Sequence, residues 1–571
     1  MRVEPSFDID ELPKTLSAFL TLERARALVD SAMGEGRELL ESAFGRTTIK
    51  TEVYCRALVA FFGWDILGSR DVRQALVERA SDTQIDRLFE FLESENVTPG
   101  RPVSQRATKL ARVVAKQWRP GGSWSRLFVD ALGLPLELAQ KNVGRRLTSV
   151  EVFEKRLQLG ELHEYQRELY DTIVSFLSND AKQAKRAMVS LPTGAGKTRV
   201  IVECLADLIR NGKFTGPILW VAQTEELCEQ AVKTLGHVWN GRLHPPPYDL
   251  VVQRVWGGLS DDVDFSVHAI VTTPESFNAK VSQFSIDRST DLAGRIAAIV
   301  IDEAHLALAK EYSAIFDLGD VCCRVIGLTA TPGRSRHDEA LRLVRKFCNV
   351  LLTPNLLAPE PILALTESKV LAEAVFSPVP VSGDPISLSP DEAAHFAKFK
   401  DYSPAVLKRI GKNQDRNRQI LHRLLAIDSE KQQTLVFASS VASARWLAGT
   451  MSALGRSAAV VDSQTARPIR SSAIDHFNRG SIQFLFNYQV LAQGFDAPKV
   501  ANVVIARPVN SVVLMEQMLG RGLRGPLNGG TDVCNIIYFE DNFEENRHRP
   551  RGYANFIEYW NAWSDRPKTL Q

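Results

Sequence analysis

The sequence predicts an α/β protein with two parallel sheets in tandem, preceded by a mainly α-helical region. Three observations carry that expectation. The first 150 residues repeat apolar positions at three- and four-residue steps, as in Leu76, Val77, Ala80, Ile85, Leu88 and Leu92. From about residue 155, short β-branched runs alternate with helical stretches, the pattern of parallel strands joined by crossover helices. The runs also fall into two series, separated by a looser stretch rich in Pro and Ser at about 353–392.

Composition sets the outer bounds. A chain of 571 residues accommodates roughly three or four domains. Hydrophobic residues at 44% and charged residues at 24% exclude a disordered chain, a collagen-like fibre and a coiled coil. No apolar run approaches the roughly 18 residues needed to cross a bilayer. The opening segment MRVEPSFDIDELPK carries acids where a signal peptide needs a basic and then an apolar region, so a cytoplasmic location without membrane partners is expected. Seven cysteines, scattered without cluster spacing, predict neither a disulfide scaffold nor a zinc or iron–sulfur site.

Within the helical region, net charge changes sign. Residues 1–100 hold 12 basic and 18 acidic side chains, whereas 101–150 hold 10 basic side chains against Asp130 and Glu137 alone. Arg106, Lys109, Arg112, Lys116 and Arg119 recur at helical spacing up to Pro120-Gly121-Gly122. Two readings stand for this stripe. Arg112, Lys116 and Arg119 either track nucleic-acid phosphates, or belong to a solvated face paired with the acids of residues 1–100. Trp118 and Trp124 beside it serve in core packing or in stacking on a base.

The first series of strand-like runs is Ala187–Leu191, Ile218–Ala222, Ala269–Thr272, Ala297–Ile301 and Val325–Leu328. The second is Thr434–Ala438, Ala458–Val461, Phe484–Asn487, Val503–Ala506 and Asn535–Phe539. The run at 187–191 leads directly into Pro192-Thr193-Gly194-Ala195-Gly196-Lys197-Thr198 and then a helical stretch. That is the context of a P-loop, in which glycines turn backbone N–H groups toward a phosphate. Lys197 would reach the β- and γ-oxygens and Thr198 would offer a hydroxyl to Mg2+. The strict pattern would have Gly at 191, where this chain has Leu191. The run at 297–301 ends in Asp302-Glu303-Ala304-His305. Asp302 at a strand tip is suited to hold Mg2+, and Glu303 to orient and deprotonate an attacking water.

Asp302-Glu303-Ala304-His305 is a DEAH box, and the chain resembles superfamily 2 helicases, whose P-loop lacks the first glycine. The resemblance spans about 160–540 and implies two tandem RecA-like P-loop domains with ATP and Mg2+ between them. Leu162-His163-Glu164-Tyr165-Gln166 resembles the adenine-recognising segment, with Gln166 as base reader. Together with Thr193, Gly194, Ala195, Gly196, Lys197 and Thr198 it forms the expected nucleotide site. Gln223 and Thr224 lie in a segment resembling motif Ia, and Thr273 and Pro274 in one resembling motif Ib, both along the nucleic-acid backbone in that family. Leu328-Thr329-Ala330-Thr331-Pro332 resembles motif III, Thr434–Ser440 motif IV, and Gln493–Pro498 motif V, with Gly494 and Asp496 on the nucleotide side. Gln517-Met518-Leu519-Gly520-Arg521-Gly522-Leu523-Arg524 resembles motif VI. Arg521 and Arg524, three residues apart, would share a helix face; the resemblance implies that they reach the γ-phosphate as arginine fingers.

Gly520-Arg521-Gly522-Leu523-Arg524 with Gly494-Phe495-Asp496-Ala497-Pro498 resembles the branch of restriction-enzyme motor subunits and DNA-repair translocases, which favours DNA over RNA. The expected organisation is therefore a helical accessory domain at 1–150, RecA-like domains at 151–355 and 356–545, and a tail at 546–571. The expected function is ATP-dependent helicase or translocase activity in DNA repair or defence, with Lys197, Asp302, Glu303, Arg521 and Arg524 catalytic. Two alternatives remain: an ATP-gated nucleic-acid sensor, or a motor subunit of a restriction or anti-phage complex whose nuclease is a separate partner.

Overall fold

The structure is a computed structural model. It describes residues 11–33, 50–94, 105–139, 150–153, 159–178, 185–241, 248–260, 262–280, 296–330, 337–358, 360–427, 432–463, 465, 467–491, 497 and 499–545. The tail at 546–571, Gly494 and Asp496 lie outside the described residues, as do Thr331 and Pro332.

The amino-terminal region is helical, as expected. The periodic positions from Leu76 to Leu92 span two helices, Arg70–Glu78 and Asp82–Ser94. Ser81 and Gln84 form the break: the Gln84 N–H donates to Ser81 Oγ (3.3 Å) and the Ser81 N–H to Gln84 Oε1 (2.8 Å), a reciprocal cap that starts a new helix. The buried sides of these helices converge on Leu58, Leu76, Leu88, Phe128 and Val129, and the same core takes in Ala453 from the far end of the chain. Trp124 is buried in it against Phe91 and Phe128, and Trp118, half-buried, packs edge-on to Phe128 at 5.6 Å, so both tryptophans serve in packing.

Two sheets follow in sequence. The first contains β1 (Val150–Phe153), β2 (Arg186–Ser190), β3 (Ile218–Val221), β4 (Leu250–Val255), β5 (Ala269–Thr272), β6 (Ala298–Ile301), β7 (Arg324–Thr329) and β8 (Leu351–Leu352), in the order β1-β4-β5-β3-β6-β7-β2-β8. The second contains β9 (Glu373–Pro380), β10 (Gln433–Ala438), β11 (Ala458–Val461), β12 (Phe484–Asn487), β13 (Val500–Ala506) and β14 (Val533–Glu540), ordered β11-β12-β10-β13-β14-β9. Every pairing is parallel except at one edge, where β1 runs antiparallel to β4 (Val150 opposite Gln253). The central strands are apolar on both faces (β3 and β6 are buried at every residue) because helices cover both sides.

Strand β9 lies inside the stretch that reads as loose from composition. Pro378 and Pro380 cannot donate to a ladder, so a strand bearing them belongs at an edge; β9 pairs with β14 alone. A pair of helices, Pro390–Phe399 and Pro404–Gly411, then caps the second sheet through Phe396, Tyr402, Val406, Leu407 and Ile410. Among the described residues, no helix is long and apolar enough to cross a membrane.

Candidate nucleotide cleft and nucleic-acid face

The P-loop follows β2 at the carboxyl edge of the first sheet. Gly194 (φ 88°) and Gly196 (φ 82°) take the left-handed conformation that side chains resist, and the helix Lys197–Arg210 begins directly after the second. The loop therefore curls so that a helix amino terminus, with its unpaired N–H groups, faces the cleft beside Lys197 and Thr198. Gln166 braces the curl from behind. Its Nε2 donates to Ala195 O (3.0 Å), its Oε1 accepts from the His163 N–H (3.0 Å), and the Tyr165 hydroxyl also donates to Ala195 O (2.9 Å). A side chain at 196 would collide with Gln166 Nε2. Gln166 is thus buried with its amide committed to protein backbone.

One strand, β7, separates β2 from β6, so Asp302 at the tip of β6 comes to the same edge as the P-loop. The Asp302 N–H donates to Val221 O (2.8 Å), and its carboxylate accepts from the Glu303 N–H (3.0 Å). Glu303 takes φ 49°, ψ 49°, which turns its side chain back toward His305, whose Nδ1 is 3.2 Å from Glu303 Oε2. Burial, then the adjacent Glu303 charge, pushes the Asp302 carboxyl up. Burial opposes charge on Glu303 too. There the His305 hydrogen bond and charge, with Lys197 and Arg521, outweigh it and draw the carboxyl down. Lys197, both acids and Arg521 thus form one electrostatic cluster.

The second sheet supplies the opposite wall. The helix Val512–Leu519, carrying the start of the motif VI segment, is capped by Ser511 and follows β13. The structure corrects the expectation that Arg521 and Arg524 share a helix face. The helix ends at Leu519, Arg521 sits in the turn that follows, and Arg524 forms a bridge with Leu371. Glycines on both sides of Arg521 have poor helix propensity, which ends the helix before either arginine. Arg521 nonetheless reaches the Glu303 field.

Two residues of this wall escaped the sequence reading as site residues. Glu516 is buried, and Thr193 Oγ1 lies 3.4 Å from its Oε1 in a hydrogen bond from the P-loop to the opposite wall. Burial pushes its carboxyl up to about 8, with Lys197 opposing and Glu303 reinforcing the shift. Gln517 is buried, and its Nε2 meets no acceptor among the described residues. An acid in the otherwise apolar run Val512-Val513-Leu514-Met515-Glu516 was the available signal.

The cleft fits a nucleoside triphosphate and a divalent cation: a two-glycine cradle, a helix amino terminus, a lysine, a strand-tip carboxylate and a buried unpaired amide. Thr198, in the first turn of the helix Lys197–Arg210, and Asp302, at the end of β6, are the residues that could hold the cation.

The expected nucleic-acid residues divide into two groups. Thr224 and Thr273 lie just past the carboxyl ends of adjacent strands β3 and β5 and cap the helices that follow, accepting from the Leu227 N–H (3.3 Å) and the Ser276 N–H (3.2 Å). Pro274 occupies the first turn of its helix. Gln223 accepts from the Tyr312 hydroxyl (2.7 Å) and donates toward Glu311 (3.4 Å). The basic stripe is different. Its helix, Arg106–Ala115, stops one turn early, with Lys116 already extended (ψ 127°). Arg106 pairs with Asp82, Lys109 with Asp86 (2.6 Å) and Arg112 with Glu93 (3.0 Å). For these three the solvated, acid-paired reading describes the structure. Arg119 donates to Gln117 (3.1 Å).

Comparison with known proteins gives a consistent picture. Residues 159–334 match the family model for the res subunit of type III restriction enzymes, and residues 416–525 match that for the helicase conserved C-terminal domain. IRC3, a helicase-family protein of Saccharomyces cerevisiae, is 26% identical over 71% of this chain and 55% of its own length. The ATP-dependent DNA helicase uvsW of Enterobacteria phage T4 is 22% identical over 68% of this chain and 70% of its own. Among solved structures, the Hef helicase domain of Pyrococcus furiosus aligns with 67% of this chain and 96% of its own at 17% identity, TM-score 0.40. The chain thus spans little more than half the length of the yeast relative.

Proposed function

Since the chain belongs to the superfamily 2 helicases, in the branch of the restriction-enzyme res subunits, we propose that it hydrolyses ATP with Mg2+ between its two sheets. We further propose that the cycle drives translocation on DNA or separation of its strands. The observation that carries this reading is the contact of Thr193 in the P-loop with Glu516 and Gly520 of the second unit. The residues suited to catalysis come from both walls of one cleft, so their alignment depends on how the two walls sit.

Bound ATP supplies the scissile β–γ phosphoanhydride, with Mg2+ offsetting phosphate charge. The chain's own contribution is positioning. The Gly194–Gly196 curl and the helix start at Lys197 hold the phosphates. Thr198 and Asp302 hold the cation, and Glu303, kept ionised by His305, Lys197 and Arg521, accepts the proton of the attacking water. Arg521, and with it Arg524, stabilises charge that develops on the transferred phosphoryl group. Gln166, although engaged with Ala195, remains the residue assigned to base reading; Gly494 and Asp496 keep the nucleotide-binding role that the motif V resemblance implies. Loss of the γ-phosphate link releases the walls, which converts hydrolysis into relative motion. Gln223, Thr224, Thr273 and Pro274 lie along the carboxyl edge of the first sheet, where a backbone-gripping track would run without sequence preference. Lys116 and Arg119, beyond the end of the basic helix, are the candidates for a second grip.

Preference for DNA rests on the motif V and VI segments, and the printed description of the phage T4 relative accords with it. A role in repair or in defence against foreign DNA, in the cytoplasm and with a nuclease as partner, follows the same branch.

The test is ATP turnover by wild type and Lys197→Ala with single-stranded, duplex and forked DNA and with RNA, alongside strand displacement and translocation assays. DNA-stimulated turnover with movement, lost in Lys197→Ala, is expected. Stimulated turnover without displacement or movement on any substrate would replace the motor reading with an ATP-gated sensor.

A further inference from the structure

The helix pair Pro390–Gly411 is absorbed by none of the helicase motifs, yet it sits on the carboxyl edge of the second sheet. Its small core reaches Tyr488, just past β12, and Phe543, just past β14. Asp401 lies 3.6 Å from Arg507, just past β13. In a parallel sheet this edge is where ligands are met.

At the tip of the pair stands Phe399. It is 58% exposed, on a helix that buries Phe396 alone. The ring has cationic or polar-aromatic neighbours: Lys398 Nζ lies 5.0 Å from its centroid, and the His395 ring lies 4.5 Å away, tilted by 40°. Lys400 follows in a left-handed conformation (φ 56°) that ends the helix and turns the chain sharply behind the ring. From His395 to Lys412 the chain carries Lys398, Lys400, Lys408, Lys412 and Arg409, the last paired to Glu392 of the first helix (2.8 Å), against one acid, Asp401. That acid is turned inward against Arg507, and all four lysines are exposed.

The tip is also tied to the catalytic wall. Asn510 donates from its side chain to Lys400 O (2.8 Å) and from its N–H to Asp401 Oδ1 (3.2 Å). The next residue, Ser511, caps the helix that leads to Gly520 and Arg521. Anything that displaces the Phe399–Asp401 tip pulls on the start of that helix.

We propose that Phe399, flanked by Lys398 and Lys400, is a stacking platform for an unpaired base of single-stranded nucleic acid. A largely exposed aromatic ring beside exposed lysines fits a base and its phosphate, whereas an apolar protein partner would leave the lysines stranded. A paired base has both faces covered by its neighbours, so the platform selects unpaired strand. This rests on the helicase reading above and adds where a displaced or leading strand is held.

The full chain should be assayed by anisotropy with labelled 20-nucleotide DNA, the same sequence as RNA, and a blunt DNA duplex, with salt varied in each case. Phe399→Ala should weaken single-strand binding by about 5- to 150-fold and leave the duplex unchanged. Phe399→Trp should retain single-strand binding. The salt slope should persist in Phe399→Ala and flatten by roughly one in Lys398→Ala/Lys400→Ala. Equal losses for DNA and RNA assign the grip to the base face; a loss confined to one sugar narrows the track to that nucleic acid. Wild-type single-strand affinity in Phe399→Ala, or equal losses for single strand and duplex, would overturn the platform. A wild-type chain that binds none of the three probes would instead overturn the helicase reading beneath it.

Discussion

Gly520 offers a direct test of whether the two walls must meet. Its backbone lies in the helical region (φ −60°, ψ −11°), which any residue adopts, so glycine is required there for space alone. A Cβ at 520 would fall 2.5 Å from Thr193 Cβ and nearer still to Thr193 Cγ2. Carbon atoms settle at roughly 3.5–4.0 Å, so Gly520→Ala must push the walls apart by more than an ångström at this point. Overpacking of this kind costs about 1–3 kcal/mol. Here the strain exists only while the cleft is shut, so it lowers the closed population by about 5- to 150-fold. ATP turnover should fall by that factor. Nucleotide affinity of the P-loop and the thermal midpoint should change little, because both sheets keep their cores. Steady-state ATPase assays, fluorescent-nucleotide titration and interdomain energy transfer measure the three quantities. Wild-type turnover with undiminished closure in Gly520→Ala would refute the argument that this contact must form during catalysis.

Two further outcomes are expected. Glu303→Gln keeps the size of the side chain but removes the proton acceptor, so hydrolysis should fall by about 10²–10⁴-fold while bound nucleotide is retained; single-turnover rates near wild type would remove Glu303 from its assigned role. Arg416 and Asp541 are paired in the interior, with Arg416 also donating to Ala506 O at 3.2 Å. Arg416→Met strands the Asp541 charge, so about 3–5 kcal/mol of stability should be lost, and an unchanged calorimetric transition would show that Asp541 finds other compensation.

Much of the architecture was legible because buried parallel strands and phosphate cradles leave dense, local signals. The ten apolar runs each became a strand, to within three residues at either end. Among the described residues, the four strands that were not read fail for separate physical reasons. In β4, Gln253 and Arg254 interrupt the apolar run, yet both are buried, Arg254 paired with Glu229 and Gln253 bonded to Ser260. Prolines mask β9, while β8 has only two residues. Strand β1 gains its identity from β4, a partner about 100 residues away. Charge was the least legible feature. Arg112 and Glu93 lie 19 positions apart, and only the packing of the two helices reveals that one neutralises the other. Glu516 was obscured similarly, since its significance depends on Thr193, which precedes it by 323 residues.

The helix Thr51–Phe62 packs on Val441–Ala453, with Arg445 over the Phe61 ring at 5.9 Å and Ala453 enclosed in the amino-terminal core. The chain therefore enters the first sheet from a region that rides on the second. Removing residues 1–150 would leave the neighbouring sheet nearly untouched but would strip a cover from Trp446 and Ala453 on the distant one. The exposed patch would favour aggregation, and lost activity in such a deletion would report the bare helix as much as any missing grip. The amino-terminal region is therefore carried by the second sheet, and any movement of that sheet relative to the first would take the helices of this region with it.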